Sequence, residues 1–253
     1  MTGFREARRV APLVVGLIFV VASTVSLSPA SASVPSGTPT FSNPLNITNR
    51  YQPFQPGGVK VYRGTKGKAQ QVVVDLYRTD TRSFRLNNRN VECHILQEIA
   101  FENGQLVESS LNFFAQADDG TVYYFGEIVD IYENGVVTSH EGSWLVGGPK
   151  GSDPNETANA PAPTVFMPAN PELGDIFKQE DLPGVVDETD EVVGVGVTVT
   201  VEAGRFENTI QILETSNLEP GTETKWYAPG VGVVQSTAKG EKLELISSTL
   251  RSQ

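Results

Sequence analysis

Four residues capable of acid–base or metal chemistry fall close together near the middle of the chain: Glu127, Asp130, His140 and Glu141, with Trp144 just beyond. The turn triplet Glu133-Asn134-Gly135 lies between them, so the flanking segments are predicted to pair as a hairpin that gathers all four. Carboxylates beside an imidazole could ligate a divalent metal or act as acid and base. One reading is therefore a metal-assisted hydrolase using His140 with Glu127 and Glu141. The plainer reading is a solvated hairpin with a histidine on its rim. Ser139-His140-Glu141 is no hydrolase triad, because neighbours on a strand point to opposite faces and cannot relay a proton. Cys93 and His94 fail as co-ligands for the same reason, and Cys93 is expected to be a small buried hydrophobe.

A second acidic run carries Glu180, Asp181, Asp187, Glu188, Asp190 and Glu191 with no cation among them. Hard oxygen donors at this density suit calcium, but the run lacks the spacing of an EF-hand loop, and a solvated acidic loop is the simpler expectation. No cofactor is expected, with a divalent metal as the alternative. The third candidate is apolar. Tyr123 and Phe125 alternate with Val122 and Tyr124, so both faces of that strand need cover. A cavity lined by Phe113, Tyr123, Phe125, Trp144 and Trp226 would suit a lipid or another apolar small molecule; the same rings could equally fill a core.

The elements that must position these groups read as strands. Short β-branched or alternating runs recur, among them Gln71 to Tyr77, Val91 to Phe101 and Thr121 to Glu127, split by Asn103-Gly104, Asp119-Gly120 and Asn134-Gly135. Such dipeptides supply positive φ at little cost and mark hairpins. In Val193 to Val201 five valines alternate with Gly and Thr, which predicts one dry face. The fold class is all-β: antiparallel meanders forming a curved sheet, sandwich or half-barrel. Residues 33–58 read as an extended leader and 59–247 as one β-rich domain, its similar halves 59–146 and 164–247 joined by a Gly/Pro-rich loop at 147–163. Neither meander could bury its apolar face alone, so the halves are expected to share a core.

Residues 1–32 have the pattern of a secretory signal peptide: Arg5, Arg8 and Arg9, an apolar run from Leu13 to Ala22, then Ala30-Ser31-Ala32. Cleavage before Ser33 would leave 16 basic and 29 acidic side chains, taking the net charge from -11 to -13. An acidic chain of this kind repels nucleic acid. The single Cys and two His also leave no disulfide and no Cys-rich zinc site. The mature chain has no integral membrane span of helical length, and the expected location is secreted or in the cell envelope.

Tyr124-Phe-Gly-Glu127, His140-Glu-Gly-Ser-Trp144 and Trp226-Tyr-Ala-Pro-Gly-Val-Gly232, with Val201-Glu-Ala-Gly-Arg-Phe206 and Phe113-Phe-Ala-Gln116, resemble segments of an uncharacterised bacterial family of secreted proteins and lipoproteins. The Tyr-Ala-Pro-Gly-Val-Gly hairpin is similar to one in extracytoplasmic proteins with lipoprotein-carrier-like half-barrels. The resemblance implies a curved, exported β-protein and no particular activity. Together these readings favour a non-enzymatic binding or envelope-associated module, with an apolar small molecule or an envelope protein as partner.

Overall fold

The computed structural model describes Val34, residues 38–218 and residues 221–250. The segment read as a signal peptide lies outside the described residues. Among the described residues, all the regular structure is strand. The first meander is β1 (Val59–Lys66), β2 (Ala69–Leu86), β3 (Arg89–Glu102), β4 (Gln105–Gln116) and β5 (Val122–Glu133). Four short strands follow: β6 (Val136–Ser139), β7 (Trp144–Val146), β8 (Ala158–Ala160) and β9 (Thr164–Met167). The second meander is β10 (Ile176–Leu182), β11 (Val186–Val201), β12 (Gly204–Thr215), β13 (Thr222–Ala228), β14 (Gly232–Ala238) and β15 (Glu241–Ser248).

The predicted turns form as their chemistry requires. Asn103 and Gly104 sit at φ 50° and 80°, Asn134 and Gly135 at 53° and 78°, which is the left-handed pair a two-residue hairpin needs. β15 pairs antiparallel with β1, so the two meanders run on as one curved sheet from β10 round to β5. β9 pairs with the far edge at β5 and lies against β10, where Thr164 Oγ1–H donates to Gln179 O and Gln179 Nε2–H donates to Phe166 O. The sheet thereby becomes a nearly closed barrel. The two halves contribute to a common apolar cluster, which contains Tyr77, Phe113 and Phe125 from the first meander and Phe177, Ile210 and Tyr227 from the second.

The connecting segments are more embedded than their composition suggests. Ile47, Tyr51 and Phe54, in the stretch read as a leader, are buried in that cluster. Phe41 packs edge-on against Tyr123 and Phe125 at 5.6 and 5.5 Å. The 147–163 loop includes β8, which pairs parallel with β7. The valine strand also differs from expectation: register shifts at Val192/Gly194 and Val197/Val199 interrupt the alternation, so Val193 and Val195 are exposed while Val199 and Val201 are buried. An extra residue on one strand swaps the faces of everything beyond it.

Candidate functional site

The barrel's interior is where the chain concentrates its chemistry. On β1 and β2, Lys60, Tyr62, Val73, Asp75 and Tyr77 point inward on alternate positions; on β3 and β4 so do Leu96, Glu98, Ala100, Ser110, Asn112 and Phe114. The second meander contributes Glu188, Glu223, Lys225, Tyr227, Ser236 and Leu243. These side chains enclose a cavity of about 190 Å³. Seven carboxylates and two lysines line it.

One local irregularity decides what β5 presents. The register slips between Asn112 and Phe114, and Gly126, at φ 113°, takes up the extra residue. Tyr124 and Glu127, three apart, consequently both face the lumen. A side chain at Gly126 is sterically forbidden, since its Cβ would lie 2.1 Å from Trp144 O.

The two lysines are held charged. Lys60 Nζ lies 3.3 Å from Asp75 Oδ2 and 5.3 and 5.6 Å from the ring centroids of Tyr62 and Tyr77. Burial works against its charge, yet the two tyrosines and Asp75 hold its pKa well above the usual lysine value. Lys225 reaches Glu214 Oε2 at 2.5 Å and Glu223 Oε2 at 3.7 Å. Burial is again the opposing force, and Glu214, Glu223 and Glu188 overcome it. The register also sets Asp190, Glu214 and Glu223 side by side across β11, β12 and β13, an arrangement of like charges that destabilises a sheet unless neutralised.

The other lumen carboxylates make no ion pair among the described residues. Burial, reinforced by Asp75, pushes Glu98 up to about 7. Burial with Glu98 nearby pushes Glu108 to about 8, and burial also takes Glu127 to about 8. Glu180 and Glu188 are raised well above the ordinary range by burial and by neighbouring carboxylates. Glu108 Oε2, Asp75 Oδ1 and Gln71 Oε1 are buried without a hydrogen-bond partner among the described residues.

The sequence-predicted groups distribute as follows. Glu127 lines the lumen, whereas Asp130, an odd number of residues further along β5, leaves from the opposite face. His140 Nδ1 lies 2.8 Å from Asp130 Oδ1 and 2.9 Å from Val129 O, two acceptors that together fix the proton on that nitrogen. Glu141 follows on the exposed turn after β6. The second acidic run is a hairpin, β10 to β11, with Glu180 opposite Glu188 and Asp181 opposite Asp187. Glu180, Glu188 and Asp190 are buried; Asp181 and Asp187 pair with Lys178 on the outside, and Glu191 is exposed. Among the described residues, no three His, Cys, Asp or Glu side chains converge as a metal site would require.

Phe113, Tyr123, Phe125, Trp144 and Trp226 do not line the cavity. Phe113 and Phe125 pack around Phe84 at 5.3 and 5.4 Å on the opposite side of the sheet, where Phe41 covers Tyr123 and Phe125. Both faces of β5 are thus covered, one by the leader and one by the lumen. Trp226 lies between lumen-facing Lys225 and Tyr227 and packs against an apolar cluster that includes Val199, Val201 and Val231. Trp144 stands behind the lumen wall, 5.2 Å from the Tyr124 ring, and its Nε1–H donates to Glu180 Oε1 at 3.1 Å. Cys93 is fully buried, and burial raises its thiol pKa well above normal.

With this geometry in view, the comparisons are brief. No family profile matches the chain, and no curated protein or solved structure matches it either.

Proposed function

We propose that this chain is an exported, non-enzymatic binding protein whose ligand site is the barrel lumen. The observation that carries the reading is the lumen cavity of about 190 Å³, whose wall includes buried oxygens without a hydrogen-bond partner among the described residues. Polar groups sequestered at such cost are retained where something else satisfies them. Export is supported by the Arg-rich head, apolar run and Ala-Ser-Ala end of residues 1–32. The rings of Phe114, Tyr124, Phe166 and Tyr227 offer apolar surface beside the carboxylates, so the ligand has both an apolar body and polar groups. The hydrolase reading gains nothing from an arrangement in which Glu127 faces the lumen and His140 pairs with Asp130 on the outside.

The test is native mass spectrometry of mature protein starting at Ser33 and purified from its natural host. A small-molecule mass excess that vanishes on denaturation is expected. It should also vanish in Ala100→Phe, which fills the lumen, provided circular dichroism shows the sheet intact. Equal retention of the molecule by Ala100→Phe would overturn the lumen as the site.

A further inference from the structure

We infer that the lumen takes an organic cation bearing two or more ammonium groups, a member of the polyamine class. This rests on the lumen being the ligand site and adds what that ligand is.

The chain itself shows how the lumen binds ammonium. Lys60 is received by a carboxylate and two tyrosine faces, and Lys225 by two carboxylates. Both arrangements are ammonium-binding geometries, one using charge and cation–π attraction, the other paired charges. With those two places filled by the protein's own side chains, Glu98, Glu108, Glu127, Glu180 and Glu188 still line the cavity and make no ion pair among the described residues. Glu108 is 6% exposed, and its Oε2 has no hydrogen-bond partner among the described residues, so one acceptor at least is aimed at whatever occupies the space.

The distribution of these acids selects the shape of the cation. A calcium ion draws six or more oxygens to within about 2.6 Å of one point. Here the five carboxylates come from five strands, β3, β4, β5, β10 and β11, and no three of the described acidic side chains converge. Adjacent strands are about 4.8 Å apart, so the charges are laid out along a wall. An extended molecule with ammonium groups separated by methylenes matches that layout, and its methylenes meet Leu96, Phe114, Phe166 and Tyr227. Binding in this form would replace protons on the raised carboxyl groups by ligand charge.

The experiment is calorimetric titration of the mature protein with spermidine, putrescine, butylamine and calcium chloride, near physiological salt and around pH 8. One spermidine per chain is expected, with putrescine bound about tenfold more weakly and butylamine weaker again. Glu108→Gln and Glu188→Gln each keep the side chain's shape and remove one charge; each should weaken spermidine about tenfold without lowering the melting temperature. Should either variant fail to fold, the ranking of the three amines on the unaltered protein still decides. Several weak spermidine equivalents indifferent to both substitutions would mark surface attraction and overturn the inference. Calcium binding in place of spermidine would do the same. A neutral or anionic molecule found in the lumen, with no spermidine bound, would leave the lumen as a ligand site and refute only its preference for cations; an empty lumen that accepts none of these would refute both.

Discussion

Glu127 on β5 and Glu180 on β10 come within hydrogen-bonding reach of one another at the lumen, although both are acids. Two carboxyl groups can do this only if one carries a proton. Substituting Gln for either partner should keep the contact and remove the conflict of charge. Glu127→Gln is therefore expected to change unfolding free energy by no more than about 1 kcal/mol, and to be neutral or stabilising. Glu127→Ala, which leaves Glu180 buried beside a void, should cost about 2–3 kcal/mol. Chemical denaturation of the two variants side by side measures the difference.

Stability should fall as pH rises from about 4.5 towards 8. Glu98, Glu108, Glu127 and Glu223 hold protons in the fold up to about 7, 8, 8 and 8, whereas unfolded glutamates lose theirs near the usual 4.5. Between those limits the folded state binds more protons than the unfolded one, which makes the slope negative. The opposite contribution, from Asp80, Asp118, Asp153 and Asp187 with lowered values, is present above the ordinary aspartate range and lost only below it. The melting temperature is thus expected to peak at about pH 4–5, and a series of thermal melts from acid to mildly alkaline pH checks it.

Lys60 and Asp75 should behave as an inseparable pair. Lys60→Met strands a buried carboxylate and is expected to cost about 3–5 kcal/mol, while adding Asp75→Asn in the same chain should recover most of the loss. A double-mutant cycle gives the coupling; additive losses would contradict the ion pair.

Arg82 clasps the 147–163 loop to the outside of the barrel. Its guanidinium makes a bidentate pair with Asp153 at 2.9 and 2.6 Å and lies over the rings of Phe84 and Phe113 at 5.1 and 4.9 Å. Against the cost of burial, Arg82 keeps the Asp153 carboxyl below its ordinary pKa. Asp153→Asn should cost about 1–2 kcal/mol and speed proteolysis within the loop, the latter read directly by mapping the cleavage sites.

Gly126→Ala should be among the most damaging single methyl additions. It combines a φ of 113° with a Cβ 2.1 Å from Trp144 O, so β7 would have to detach from β5. A loss of about 3 kcal/mol or more is expected. Amide exchange at Leu145, whose pairing with Gly126 would break, reports the detachment locally.

Much of this architecture can be read from the chain. Asn103-Gly104 and Asn134-Gly135 announce their turns because few other pairs adopt that backbone, and the period-two runs between them identify strands. Alternation says which residues share a face, and it is silent on which face is inside. Charge outside is the rule, whereas this barrel places Glu98, Glu108 and Glu223 within, among apolar neighbours. Bulges compound the difficulty. At Gly126 and again between Lys178 and Glu180, one extra residue reverses the parity, bringing Glu127 and Glu180 together although nothing in their spacing links them. A usable signal exists: Lys60 and Tyr62, like Lys225 and Tyr227, place an ammonium and a phenol two residues apart, on one face of a strand.

The closure of the barrel has a mechanical meaning. Around most of its girth the wall is a continuous backbone ladder, but where β9 meets β10 the stitching described is by the side chains of Thr164 and Gln179. A hoop parts where its fastening is thinnest. Pulled apart sideways, this one would yield along that line and swing open as a leaf, each meander still intact, with the charged interior presented to the solvent as an open trough.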